Sequence, residues 1–398
     1  MCSINEDIHV EVKPDLKKCL KCDQNSIVVT RINDALCKSC FIEYFTHKFR
    51  ATIGKSKIFE KDELVLLPYS ASGSSVAMLH LIKQGMSEEA KKKFTFKIVC
   101  LYIEDSFDRD PNEAKRVEFL RQVEKSVENF GFKFYFSLFE NCFEENDGKL
   151  FTDKIEKLNF NCDNREKFLS LINSCKSQTS KEELLKRLKN QLIERVAKKL
   201  NIIKVIFPIS CTKLTVDMLT NFAIGKGAHQ ATEMSLEERN ISGQVNLRPL
   251  RELTSKEVAY YNHYSNLNDK ILIKKSTIEN VPNSTIYRLT EKFINGLQND
   301  YPTTVPTIFR TSDKLTPNED LSQDHTCIMC GLAIDTDKSA SATISAINDL
   351  QYSITISRIE KNLNERKFLV DNVCYSCSIV LNDLTSVTLL PETMKQNL

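Results

Sequence analysis

Residues 63–84 read ELVLLPYSASGSSVAMLHLIKQ. The run Leu64-Val65-Leu66-Leu67 is continuously apolar and stops at Pro68-Tyr69-Ser70, as a strand buried on both faces does. The six residues Ser70-Ala71-Ser72-Gly73-Ser74-Ser75 are small and rich in hydroxyls, and beyond them Val76, Leu79, His80 and Lys83 recur at helical spacing. Working outward, residues 94–103, 132–138 and 202–207 repeat the apolar strand pattern, and residues 112–129 supply an intervening helix. Strands alternating with helices at this spacing predict an α/β fold, a Rossmann-like doubly wound parallel sheet with ligands at the carboxyl ends of the strands.

Cysteines flank that sheet on both sides. Cys19-Leu20-Lys21-Cys22 and Cys37-Lys38-Ser39-Cys40 read C-x2-C-x14-C-x2-C, two knuckles able to present four thiolates to one tetrahedral zinc ion at about 2.3 Å. Cys327-Ile328-Met329-Cys330 and Cys374-Tyr375-Ser376-Cys377 repeat the knuckles with 43 residues between them, so the intervening chain must fold back or loop out before one site closes. A site of four cysteines has no open coordination position, and both are expected to be structural; an iron–sulfur cluster is the alternative at either. Disulfides compete, but the hydrophilic opening MCSINEDIHVEVK carries no apolar signal segment and points to a reducing cytoplasm.

The composition narrows the function classes. A chain of 398 residues with 41% hydrophobic content supplies a real core, and it contains no run of about 18 apolar residues that would span a membrane. Lys and Arg total 55 against 53 acidic residues, which is not the excess of a protein that grips nucleic acid unaided; RNA contact is expected to be local or shared with a partner.

Phosphate binding at the first strand-to-helix turn would use free amide groups and the positive helix end. In residues 70–75 there is one glycine, no lysine and no carboxylate for magnesium, so ATP binding is doubtful and a packed turn with satisfied hydroxyls is favoured. Outside the quartets stand Cys2, Cys100, Cys142, Cys162, Cys175 and Cys211. Cys100 lies in a strand and is expected to be buried and inert, whereas Cys211 follows the fourth strand and starts a helix whose dipole would lower its pKa, the one candidate for sulfur chemistry. In Gly225-Lys226-Gly227, Lys226 is a candidate RNA-phosphate contact, although Gly225 as a helix C-cap explains the segment without function. His229 is expected on the surface or packed.

The remaining pattern gives a helix from Phe41 to about Arg50. A long helix follows with Leu184, Leu188, Leu192, Val196 and Leu200 in a stripe, a capping box at Ser180-Lys181-Glu182-Glu183, and a basic outer face open to solvent. Residues 140–180 are polar and suggest an excursion over the surface. Thr254 or Ser255 caps a helix with Glu257 in its first turn, and residues 284–298 form an amphipathic helix that Pro302 to Pro306 ends. Residues 316–324 look like a linker, 336–361 have β-like character, and the tail after Pro391 is expected to be disordered. The divisions are an N-terminal zinc module (1–50), an α/β domain with helical extension (51–315) and a C-terminal zinc module with tail (316–398).

The order of these features resembles the cytoplasmic tRNA 2-thiolation protein 2 family. It is carried by the first quartet, the strand ending Leu66-Leu67-Pro68-Tyr69-Ser70, the Ser70 to Ser75 turn and the C-terminal knuckles. Cys211-Thr212-Lys213-Leu214, Leu247-Arg248-Pro249-Leu250-Arg251 and Ile308-Phe309-Arg310-Thr311-Ser312-Asp313-Lys314-Leu315 agree as well. The resemblance implies an adenine-nucleotide α-hydrolase-like, PP-loop architecture. It implies too a heterodimer with a catalytic thiouridylase subunit whose loop reads Ser-Gly-Gly-x-Asp-Ser. On that pattern Ser70 and Ser75 match the serines, while Ala71, Ser72 and Ser74 replace the two glycines and the aspartate. After the fourth strand, Pro208-Ile209-Ser210 stands where catalytic relatives carry Gly-His-Asn. Adenylating activity is therefore not carried over. The implied role is that of a required, noncatalytic subunit in 2-thiolation of the wobble uridine of tRNA for lysine, glutamine and glutamate, with sulfur supplied by a thiocarboxylated ubiquitin-related modifier. Two alternatives remain: weak ATP-dependent sulfur transfer by the turn and Cys211, and a zinc-stabilised protein scaffold that never touches RNA.

Overall fold

The structure is a computed structural model that describes residues 18–30, 34–56, 58–90, 92–106, 113–240, 242–272, 284–316, 326–334 and 372–395. A hairpin, β1 (Val28–Val29) and β2 (Ala35–Leu36), leads into α1 (Lys38–Ser56). The strand–turn–helix unit follows as β3 (Leu64–Tyr69) and α2 (Gly73–Met86), then β4 (Lys97–Glu104), α3 (Glu113–Glu128) and β5 (Lys133–Leu138). Next come α4 (Cys162–Asn173), α5 (Gln178–Lys199), β6 (Lys204–Ile206), α6 (Cys211–Ala223) and α7 (Gln230–Glu233). A short pair, β7 (Glu237–Arg239) and β8 (Val245–Leu247), precedes α8 (Ser255–Tyr264), α9 (Ile286–Asp300), α10 (Thr304–Ser312), α11 (Tyr375–Asp383) and α12 (Glu392–Lys395).

Six strands form one sheet in the order β5-β4-β3-β6-β8-β7, parallel except for β7, which runs antiparallel to β8 at the edge. The chain winds outward from β3 to β5, then returns to place β6 on the other side of β3. That reversal makes the carboxyl end of the β3/β6 pair the switch point, where open α/β sheets bind ligands.

Alternation along the strands builds two cores. Val65, Leu67, Ile98, Cys100 and Tyr102 pack with α1, α2, α3 and α8 on one face. Leu66, Val99, Leu101 and Val205 pack on the other with α4, α5 and the C-terminal cysteine module. Each fully buried leucine contributes about 1.5–3 kcal/mol, and in β3 Val65, Leu66 and Leu67 are fully buried whereas Leu64 at the strand's start is exposed. A third cluster, including Cys211, Leu214, Ile294 and Phe309, joins α6 to α9 and α10.

Several expectations need correction. Residues 140–180 are not a surface excursion: Leu150, Phe168, Leu171 and Ile172 are buried in the second core, and polar Glu140, Asn141 and Asn164 are buried as well. The cap of α5 is Ser177, whose hydroxyl accepts from the Ser180 N–H at 3.1 Å, while its own N–H donates to Asp383 Oδ2 at 2.8 Å. The basic face of α5 is largely occupied by partners. Lys186 pairs with Asp217 at 3.1 Å, Arg195 with Asp147 at 2.9 Å, and Arg187 is buried. Pro306 lies in the first turn of a new helix, where its missing N–H is tolerated. Past Pro391 the chain makes α12 and buries Met394. Of the expected 316–324 linker all but its first residue, and the whole 336–361 segment, lie outside the described residues.

Candidate functional site

At the switch point, β3 delivers the Ser70 to Ser75 turn into the N-terminus of α2. Ala71 has φ +59°, a left-handed conformation that glycine adopts freely and alanine does not. The turn therefore keeps a glycine-type bend at the position where the Ser-Gly-Gly-x-Asp-Ser pattern has glycine. Its hydroxyls bond inward: Ser70 Oγ meets Ser72 Oγ at 3.0 Å, and Ser75 Oγ donates to the Ser72 carbonyl at 2.9 Å. Ala71 and Ser75 are fully buried. Asn262 of α8 donates to the Gly73 carbonyl at 2.9 Å, and the Leu272 N–H donates to the Ala71 carbonyl at 3.0 Å. The residues after β6 are tied to the same helix, Ser210 Oγ lying 2.9 Å from Ser255 Oγ. Thr254 caps α8 with Glu257 in a full capping box, as the sequence pattern indicated.

Cys211 is placed as expected, in the first turn of α6 beside this crevice, but its thiol does not gain the lowered pKa. Burial pushes it up to about 12, outweighing the attraction of Lys48. A thiolate there is disfavoured at neutral pH. Cys100 is buried and its thiol is likewise raised by desolvation.

The cysteine quartets are assembled. In each, one sulfur from every residue lies within 4.8 Å of the others. Cys22 and Cys37 sulfurs are 3.5 Å apart, Cys40 and Cys22 3.7 Å, and Cys330 and Cys374 3.8 Å. A tetrahedron with metal–sulfur bonds of about 2.3 Å has edges of about 3.8 Å, so both quartets fit a single ion. A four-iron cluster holds its thiolates much farther apart. The first site is made by a knuckle before β1 and another at the start of α1, with Cys22 and Cys40 half-exposed. There the Ser39 hydroxyl draws the Cys37 thiol down to about 6, whereas the neighbouring Cys37 pushes Cys40 up to about 12. In the second, Gly331 takes φ +68° to close the first knuckle, and the Ile328 N–H donates to the Asn372 carbonyl at 3.2 Å, joining segments distant in sequence. The long spacer therefore does not prevent closure.

Lys226 is largely buried. Its ammonium pairs with Glu233, which also accepts from Asn221 at 3.0 Å and Gln230 at 2.9 Å. Gly225 follows the end of α6 with φ +74°, and a Cβ there would lie 2.5 Å from the Tyr375 ring of the C-terminal module. The Gly225-Lys226-Gly227 step is thus an internal joint. His229 is buried.

Pattern reading missed the burial of two helical arginines. Arg116 of α3 donates through Nε to Glu104 Oε2 at 2.8 Å and through Nη2 to Glu140 at 3.0 Å, locking the carboxyl ends of β4 and β5. Arg187 of α5 donates to Cys377 Sγ in the second quartet and to Ser376 Oγ at 3.0 Å. Both sit in amphipathic helices where an arginine reads as solvent-facing, and no local signal distinguishes them.

The family model described as cytoplasmic tRNA 2-thiolation protein 2 matches residues 285–379. Proteins of that name align with almost the whole chain. The one from Xenopus tropicalis is 28% identical, covering 94% of this chain and 90% of its own. The Danio rerio protein is 27% identical over 98% of this chain and 94% of its own, and the Drosophila erecta protein 29% identical over 98% and 100%. The chain resembles the cytoplasmic tRNA 2-thiolation protein 2 family throughout. Two segments that carried the resemblance also meet in space: Arg251 donates to Asp313 at 2.5 Å, with its guanidinium 4.7 Å from the Phe309 ring centre. In fold, the chain is similar to the U34-tRNA thiolase NcsA from Methanococcus maripaludis, solved with its four-iron, four-sulfur cluster. The TM-score is 0.54 at 15% identity, covering 75% of this chain and 87% of that one. The likeness is one of fold, an open and mostly parallel α/β sheet. Among the described residues, no helix is long and apolar enough to cross a membrane.

Proposed function

We propose that this chain acts in tRNA 2-thiolation in the cytoplasm, as the noncatalytic partner of a thiouridylase subunit that modifies the wobble uridine of tRNA for lysine, glutamine and glutamate. Similarity to relatives of that name over nearly the full chain carries the reading. The inward-bonded Ser70 to Ser75 hydroxyls and the buried Cys211 support a noncatalytic role. In this scheme the partner adenylates the uridine carbonyl, turning a poor oxygen leaving group into AMP. The thiocarboxylate sulfur of a ubiquitin-related modifier then attacks C2 and AMP leaves, and hydrolysis of the acyl–sulfur bond frees the modifier as its carboxylate and leaves the sulfur on the uridine. This chain stabilises the partner and helps orient the tRNA, contributing a few phosphate contacts and hence a small share of the salt dependence.

The proposed division is a metal-binding module over 1–50, the PP-loop-type domain over 51–315 and a second metal-binding module over 316–398. Zinc, held by Cys19, Cys22, Cys37 and Cys40 and by Cys327, Cys330, Cys374 and Cys377, supplies cross-linking rather than chemistry, because four thiolates fill the ion's coordination. The test is to purify the chain with the thiouridylase subunit and crosslink the pair to lysine tRNA. A stable heterodimer in which this chain crosslinks is expected. A chain that binds its partner but never RNA would favour the scaffold reading. Saturable ATP binding by the chain alone, lost when Ser74 or Ser75 is changed, would favour the enzymatic one.

A further inference from the structure

The two quartets differ in what stands behind their sulfurs. At the N-terminal site the donors among the described residues are neutral: the Lys21 N–H reaches Cys19 Sγ at 3.5 Å and the Ser39 hydroxyl lies 3.3 Å from Cys37 Sγ. At the C-terminal site Cys327, Cys374 and Cys377 are buried, and a buried guanidinium, Arg187, directs one nitrogen to Cys377 Sγ and the other to Ser376 Oγ. Four thiolates around a divalent ion carry a net charge of about −2, which is costly to bury without a counter-charge. Glu183 Oε2 lies 3.6 Å from Arg187 Nη2, the nitrogen that also reaches Ser376, and helps hold the guanidinium in place. The α5–α11 junction is also clamped where α5 begins and α11 ends, since the Ser177 N–H donates to Asp383 at 2.8 Å and the Thr385 N–H to the Ser174 carbonyl at 3.1 Å. The guanidinium is therefore preorganised, although it lies 190 residues from Cys377 in sequence.

We propose that Arg187 is a positioning residue of the C-terminal metal site: it hydrogen-bonds the Cys377 thiolate, offsets the charge of the tetrathiolate centre, and makes this the slower-exchanging of two metal sites. The inference rests on the reading of both quartets as metal centres. A hydrogen bond to a ligating sulfur withdraws electron density from it and holds its orientation, and outer partners of this kind typically govern metal affinity by about 10–100-fold.

The experiment uses the full-length, zinc-loaded chain. Metal content is counted by native mass spectrometry, and release to excess chelator is followed with a chromogenic zinc indicator. Two ions and biphasic release are expected, with Cys40→Ser abolishing the fast phase and so assigning it to the N-terminal site. Arg187→Gln should accelerate the slow phase by about 10–100-fold and leave the fast phase alone, and Arg187→Lys should fall between. In cobalt-substituted Cys40→Ser protein, Arg187→Gln should also move the thiolate-to-cobalt charge-transfer band to lower energy, which a merely structural role would not do. If Arg187→Gln does not fold, Arg187→Lys carries the same comparison. Two bound ions with unchanged slow release and an unchanged band overturn the role of Arg187 while leaving the metal site standing. One ion in wild type and none in Cys40→Ser overturns the metal reading of the C-terminal quartet itself.

Discussion

Replacing Arg116 with methionine removes the cation that pairs with two buried carboxylates while keeping most of the side-chain volume. Arg116, Glu104 and Glu140 are each about 1% exposed, so water does not compensate for the lost charge. Removing one partner of a buried ion pair costs about 3–5 kcal/mol, and two carboxylates sharing one cation place this variant toward the upper end. The cost depends on pH in a definite direction. Burial already raises Glu140 above the usual carboxylate range even with Arg116 attracting its charge, and without the arginine the rise is larger. A carboxyl whose folded pKa exceeds its unfolded value, about 4.3, destabilises the fold above that value and is relieved as pH falls toward it. Urea unfolding at pH 7.5 should therefore show a loss of about 3–5 kcal/mol, and the loss should be smaller at pH 5. Adding Glu104→Gln and Glu140→Gln should recover much of the loss. A variant within 1 kcal/mol of wild type, or a loss that does not change between the two pH values, would refute the reasoning.

Other outcomes follow from the same structure. Cys37→Ser should remove one metal ion and expose the N-terminal module to limited proteolysis, because ligand binding and folding are coupled there; a variant equally stable and fully metal-loaded would contradict the assignment. Gly225→Ala forces a left-handed alanine against the Tyr375 ring and should cost about 2 kcal/mol in urea unfolding, with a neutral effect showing that the joint is loose. His80 Nδ1 lies 2.9 Å from the Tyr261 hydroxyl, and burial, with Lys270 and Lys83 nearby, lowers its pKa. Its neutral-form contribution is complete above about pH 6.5 and is lost as pH falls through that value toward the folded one, so His80→Gln should reduce the acid sensitivity of the urea midpoint below pH 6.5. Identical pH profiles for the two proteins would oppose this.

The sheet was legible because its strands are self-sufficient patterns. Leu64 to Leu67 and the run ending at Ile103 are apolar on both faces, and only a central parallel strand requires that. The edge pair was not legible: Glu237–Arg239 is polar and short, and it is held by pairing with Val245–Leu247 and by the Arg248–Glu238 ion pair. The quartets were readable from spacing, since a knuckle is local even when its mate is not. Charges were misread wherever a distant element supplied the partner. Lys226 looked available for phosphate until Glu233 was found beside it, and Arg187 looked solvated until the C-terminal module covered it. Cys211 shows a contest of two effects visible separately in sequence, helix start and apolar surroundings, in which desolvation wins.

The central claim is a required role in tRNA thiolation without a working nucleotide loop in this chain. Its most direct test is the 2-thiouridine content at the wobble position of lysine, glutamine and glutamate tRNAs in cells lacking the chain, re-supplied with wild type or with a Ser70/Ser74/Ser75 triple alanine variant of confirmed stability. The account predicts that thiolation is lost and then restored by both. Unchanged thiolation in the null cells would contradict the proposed function, and restoration by wild type alone would contradict the silent loop.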